Sequence, residues 1–240
     1  MNKHLIRKHK AARAFTLIEM LVVVTIIVLL LAFSTPALTR TLQASRLTST
    51  GDTLIGALSE AQQLAFTHNA PVEVRFFAFA GEMDSSGTNT SYRAYQLFKI
   101  SVASSTSKGG TYTESVEPVG NLVRIPEGVA LIKDDELSPA LMGKGFTDVK
   151  QSAGSGGTGG YSGTDAIYNA LRFMPDGSCR KVDSASTGLA ALSYQTLPIS
   201  FMTLANDSGV AITMKTLPKN FFTIQVDPYT GKSRSYRPGF

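Results

Sequence analysis

An α+β fold is predicted, with one long N-terminal helix packed on a small antiparallel β domain. Three observations predict it. From Phe15 to Leu38 the chain is apolar and carries one charge, Glu19. Apolar residues then recur at helical spacing as far as Ala65. Beyond Pro71 the apolar period shortens towards two, and Gly, Pro, Asn and Asp punctuate it.

Composition sets the limits. The chain has 240 residues, one or two domains' worth, with 43% hydrophobic and 17% charged side chains. Such a chain buries a core, which excludes a disordered tail or a collagen-like fibre. Only one stretch is apolar enough to span a bilayer, which excludes a multi-pass protein. The single cysteine, Cys179, excludes a disulfide framework and a cysteine-cluster zinc site. The formal net charge of +5 belongs to residues 1–14, where Lys3, Arg7, Lys8, Lys10 and Arg13 meet no acid. The remainder balances its 18 acidic residues and is formally neutral, so the charge is no argument for nucleic-acid binding by the body.

As a helix, Phe15–Leu38 reaches roughly 36 Å, enough for a hydrocarbon core of about 30 Å. The preceding positive charges place the N-terminus in the cytoplasm and the body on the other side. An ordinary signal peptide has a shorter apolar region followed by a small-residue cleavage site. Here the small residues Ala11, Ala12 and Ala14 precede the apolar run. A plain signal anchor explains everything except Glu19, a carboxylate costing about 1–3 kcal/mol near the start of a spanning helix. A cut before Phe15 would create an amine four residues from Glu19. The two would pair within one chain or between neighbours.

Ala14-Phe15-Thr16-Leu17-Ile18-Glu19-Met20 resembles the class III signal of type IV prepilins and pseudopilins. The resemblance implies that a prepilin peptidase cuts between Ala14 and Phe15 and methylates the Phe15 amine. It implies that Glu19 guides subunits into a filament, and that Pro36 is the helix-kinking proline often found in the family. The residue before the cut is usually Gly; this chain has Ala14.

Past Pro36 the stem continues. Leu47, Leu54, Leu58, Ala61 and Ala65 fall on one helical face. Gly51 and Gly56 each weaken the helix by about 1 kcal/mol relative to Ala. Thr67-His68-Asn69-Ala70-Pro71 reads as its end, with Asn as a left-handed cap and Pro barring continuation. A helix from Phe15 to His68 would be roughly 80 Å long, and its outer half must lay its apolar face on a sheet.

In the body, strands are expected at Val72–Phe79, Arg93–Val102, Asn121–Ile125, Val129–Lys133, Ala170–Met174, Ser178–Val182, Leu197–Leu204, Val210–Met214, Phe221–Asp227 and Lys232–Tyr236. Turns fall at Pro126–Gly128, Pro175–Gly177, Asn206–Gly209 and Asp227–Gly231. Lys144–Gly163 is Gly/Ser-rich and reads as a mobile loop. The domain reading is therefore a leader over 1–14, a transmembrane and assembly helix over 15–38, an amphipathic stem over 39–70, and a β domain over 71–240 with a loop at about 143–163.

The long helix, the strand opening near Pro71, Phe173-Met174-Pro175-Asp176-Gly177 and the closing Thr230–Arg234 hairpin resemble the H-type minor pseudopilins of type II secretion. Fimbrial T-type minor pilins share the plan. Val72–Phe76, Tyr95–Phe98 and Asn220–Pro228 resemble the pilin-like family called Verru_Chthon cassette protein D. The resemblance implies a subunit of a type II secretion pseudopilus or type IV pilus-like filament, and not an enzyme; the divergent body and balanced charge fit a minor subunit. The implied partners are a prepilin peptidase, other pilin or pseudopilin subunits through the N-terminal helix, and an inner-membrane assembly platform. The implied location is the bacterial inner membrane, crossed once, with a periplasmic β domain, and then a periplasmic or surface filament.

Other sites are weaker. His68 and Cys179 are the only nitrogen or sulfur ligands beyond the leader, too few for zinc, and Asp134, Asp135 and Glu136 lack the spacing of a calcium loop. No metal and no cofactor are expected. His68 is the sole candidate base, without a triad around it. Cys179 reads as a buried small hydrophobe. Gly154–Gly159 matches G-x-G-x-x-G without the required strand and helix. At the C-terminus, Lys232, Arg234, Tyr236 and Arg237 are candidate nucleic-acid contacts, and Lys232 and Arg234 resemble the basic element of DNA-binding T-type minor pilins. The neutral body does not assist them, so a DNA-binding minor pilin is the alternative reading, beside an anchored domain that never assembles.

Overall fold

The structure is a computed structural model, and it describes residues 15–80, 90–104, 112–142, 149–151, 166–182, 201–207 and 209–238. Two compact units divide the chain, residues 1–42 and 43–240. Helix α1, Leu17–His68, contributes to both.

In the first unit α1 is long and apolar enough to cross a membrane, by length and composition. Every residue from Phe15 to Phe33 is exposed. The helix is unbroken across Pro36, although a proline there removes one intrahelical hydrogen bond.

In the second unit α1 is one-sided. Leu47, Leu54, Leu58, Ala61 and Ala65, the five residues of the expected stripe, are fully buried. Each buried leucine contributes about 1.5–3 kcal/mol. The stem tolerates its many Thr and Ser residues because their hydroxyls donate to carbonyls one turn back: Thr48 to Ala44, Thr50 to Arg46, Thr53 to Ser49 and Ser59 to Ile55. The helix stops as its sequence directs. Asn69 takes a left-handed φ of 46°, and the Ala70 amide donates to the Ala65 carbonyl.

The stem packs on an antiparallel sheet. Its strands are β1 (Val72–Ala80), β2 (Thr90–Ser104), β3 (Tyr112–Arg124), β4 (Val129–Leu131), β5 (Val149–Gln151), β6 (Ala166–Phe173), β7 (Cys179–Lys181), β8 (Phe201–Asn206), β9 (Phe221–Val226) and β10 (Ser233–Tyr236). A short helix, α2 (Pro139–Met142), follows β4. The spatial order is β10-β9-β8-β4-β2-β1-β6-β5, with β3 paired to β2 and β7 to β6. Strand alternation divides β1 cleanly. Val72, Val74, Phe76 and Ala78 join the core that includes the stem leucines. Phe77 points the other way, into a second cluster with Ala94, Phe98, Tyr168 and Ala170.

Charged residues are buried on that second face. Glu73 accepts from the Arg75 Nε at 2.9 Å and from the Arg172 Nε at 2.7 Å. The Arg75 guanidinium also lies over the rings of Phe98 and Tyr168, 4.4 and 4.6 Å from their centroids. One carboxylate thus joins neighbouring strands β1 and β6, which pair Glu73 with Arg172.

Three expectations change. Val210–Met214 is not a strand: Thr213 and Thr216 close a turn, and Val210 and Met214 are exposed. Its alternation is real, but it serves a loop in which Ile212 packs inward. Strand β3 begins well before the expected Asn121. Pro118 and Gly120 argue against a strand, yet a register shift at Tyr95/Leu97 and a left-handed Gly120 accommodate them in a bulge. Val149–Gln151, within the Gly/Ser stretch, pairs with β6. The remainder of that stretch, with Leu197–Ser200, lies outside the described residues.

The two stem glycines are predicted to respond oppositely. A Cβ on Gly51 would come within 2.5 Å of the Phe222 ring, whereas one on Gly56 meets nothing within 4 Å. In chemical denaturation of the full chain in detergent, Gly51→Ala should destabilise the body by about 1–3 kcal/mol. Gly56→Ala should stabilise it by up to about 1 kcal/mol. By the same measurement Glu73→Ala, which leaves two buried arginines without their shared carboxylate, should cost about 3–5 kcal/mol.

Candidate processing and assembly site

At its start α1 is capped by its own sequence. The Thr16 amide and hydroxyl both donate to the Glu19 Oε2, at 2.9 and 2.8 Å, and the Glu19 amide donates back to the Thr16 Oγ1 at 3.3 Å. This is a capping box, in which the first residue before a helix and the third within it satisfy each other's free donors. The signal was readable as Thr-x-x-Glu ahead of an apolar run, and Thr16 is the residue that sequence reasoning passed over. The Glu19 carboxylate is therefore held by the residue next to Phe15. Phe15 is 75% exposed. Ala14 lies outside the described residues, as does the rest of the leader.

The C-terminal residues separate into two groups. Lys232, Arg234 and Tyr236 are exposed. Arg237 instead ties the last strand to the stem: its guanidinium donates to the Thr48 Oγ1 at 2.6 Å and lies 5.6 Å from the Phe222 ring centroid. The other end of this hairpin is fixed as well. The Gln62 amide donates to the Thr230 carbonyl at 2.5 Å, and Gly231 lies so close to Gly177 that a Cβ would reach its carbonyl oxygen at 2.7 Å.

The remaining candidates have local structural roles. Asp134 Oδ1 accepts from the amides of Glu136 and Leu137, forming a turn before α2. His68 is exposed at the end of α1. Cys179 is buried, and burial pushes its thiol far above the range of a reactive thiolate. Among the described residues, no three His, Cys, Asp or Glu side chains group as a metal site requires. Gly154–Gly159 lies outside the described residues.

The β9–β10 turn should respond to acid. Hydrogen bonds from the Tyr229 amide and the Thr230 hydroxyl hold the Asp227 carboxyl below its usual range, and Arg234 adds attraction. A lowered folded-state pKa stabilises the turn above the unfolded value, about 3.9, and that contribution is lost as pH falls through the lowered value. The Tyr229 amide proton shift should hold constant from neutral pH to about 4 and move below it. In Asp227→Asn that acid transition should be absent.

Among known families, the prokaryotic N-terminal methylation motif matches residues 9–35. Comparison with curated proteins and with solved structures finds no match. The matched stretch contains Ala14, Phe15 and Glu19 and most of the apolar helix. It indicates a prepilin-like substrate of a prepilin peptidase and supports a type IV pilin-like, structural subunit. With the apolar helix, it is consistent with membrane anchoring.

Proposed function

We propose that this chain is a minor, pilin-like subunit of a type II secretion pseudopilus or a type IV pilus-like filament. The H-type pseudopilins and Verru_Chthon cassette protein D are the families it resembles in its body. The observation that carries the reading is the uncovered helix within the methylation motif: from Phe15 to Phe33 every residue is exposed. Surface of that extent requires lipid or other helices around it. A subunit that resides in the bilayer and later joins a filament provides each in turn.

The proposed sequence begins with the basic leader holding the precursor's N-terminus in the cytoplasm, the body lying in the periplasm. A prepilin peptidase then removes residues 1–14 and methylates Phe15. The helix is extracted from the membrane by an assembly platform and packs against the helices of other subunits. Glu19 pairs with the Phe15 amine of a neighbour, and the Thr16 contact keeps the carboxylate fixed until that amine arrives. Pro36 bends the helix where it leaves the membrane-spanning part. Apolar burial between helices compensates for leaving lipid.

The test is expression of the full chain with and without an active prepilin peptidase, read by intact mass and N-terminal sequencing. The mature chain should begin at Phe15 with a methylated amine, only when the peptidase is present. An uncut chain beside an active peptidase would make a plain membrane anchor the better reading. Glu19→Ala should leave membrane insertion intact and reduce incorporation into filaments; normal incorporation would sink the assembly role.

A further inference from the structure

We propose that the loop between β8 and β9, residues 209–220, docks on the surface of the phospholipid bilayer that the chain's own N-terminal helix crosses. This rests on the membrane-anchored reading above and goes beyond it. The loop is built with its apolar residues facing two ways. Ile212 and Leu217 pack inward with Phe221 against Ile132, Leu137 and Ala205. Val210 and Met214 point outward, 65% and 58% exposed. The turn closed by Thr213 and Thr216 fixes the loop's shape. Lys215 and Lys219 are exposed beside these tips, and residues 208–226 contain no acid. Apolar tips among lysines match a lipid surface, where methyl groups enter the acyl boundary and ammonium groups meet phosphate.

Position in the body supports the same occupant. The loop leads into β9 beside Phe222, whose ring lies against Gly51, and Arg237 of the adjoining strand reaches Thr48. The opposite turn of that hairpin meets Gln62. Within this unit the loop therefore lies towards the end marked by Thr48 of the stem, and in sequence only residues 39–47 separate Thr48 from the apolar segment. Exposed Asp135 and Glu136 adjoin Leu137 in the same cluster and oppose an anionic surface. The apolar tips, assisted by lysine–phosphate contacts, carry the docking.

The chain contains no tryptophan, so one substitution gives a clean probe. The full chain carrying Met214→Trp is reconstituted in nanodiscs of phosphatidylcholine and phosphatidylglycerol, with and without brominated acyl chains. A second chain carries Tyr229→Trp, at a residue 72% exposed on the turn facing Gln62. Quenching by brominated lipid is expected for the Met214 probe and not for the Tyr229 probe, and Lys215→Glu with Lys219→Glu should weaken it. Equal absence of quenching at both probes overturns the proposal, as does quenching left unchanged by the double substitution. Amide exchange of the unsubstituted chain gives a check free of tryptophan: residues 209–220 should be slower in nanodiscs than in amphipol, and equal rates overturn the proposal. Co-elution of chain and disc reads the anchor separately. A chain that stays outside the disc overturns the anchored reading together with this one, whereas an inserted chain with an unquenched loop overturns this one alone.

Discussion

Everything in the body rests on the stripe from Leu47 to Ala65. It lets a stem rich in Thr, Ser and Gln bury one face completely. The stripe begins with leucines and ends with Ala61 and Ala65, which permit close approach by their small size. Where the stem meets β9 even a methyl group is too large, so Gly51 admits the Phe222 ring. The hairpin that carries this ring is tied to the stem at both ends, by Arg237 on Thr48 and by Thr230 on Gln62. A helix of low intrinsic propensity is thus stabilised by tertiary contact. The glycine that weakens it in isolation is the one that permits the contact.

The sheet's other face follows a different logic. Glu73, Arg75 and Arg172 sit among Phe77, Phe98 and Tyr168. Taking three charges out of water is costly, and their mutual contacts mainly offset that cost. What the cluster does provide is register. A one-residue slip between β1 and β6 would send Glu73 into the stem core, away from Arg172, and leave buried charges unpaired.

Legibility followed the type of physical signal. The stem stripe and the Asn69 cap were readable because helical spacing and a left-handed turn leave local marks. The processing signal was readable because its residues are contiguous. Long-range facts were not. Nothing local says that Arg237 reaches across the chain to Thr48, so it read as one more exposed basic residue beside Lys232 and Arg234. Val210–Met214 alternates like a strand, but alternation reports which side chains turn inward and not whether a partner strand exists. Strand β3 was cut short because Pro118 and Gly120 count against strand in isolation, while a bulge admits both. The Thr16–Glu19 box was local and legible, and was overlooked because a charge in an apolar helix first suggests a distant partner.

That box changes the energetics of the proposed assembly. A carboxylate with no local partner would be unstable in lipid and would drive the helix towards any cation. One that already accepts two hydrogen bonds from Thr16 is partly satisfied in the monomer. A neighbour's Phe15 amine must then add charge neutralisation to an existing site, or displace the Thr16 donors. Selectivity for the correct neighbour rises accordingly, because a poorly placed amine gains too little to compete. Removal of the leader works in the same direction. All of the chain's net positive charge lies in residues 1–14. That charge is what retains an N-terminus on the cytoplasmic side. Once it is gone, the helix that remains would carry one carboxylate and one amine at its cytoplasmic end, which sum to zero, and pairing them leaves no unpaired charge to resist withdrawal from the bilayer.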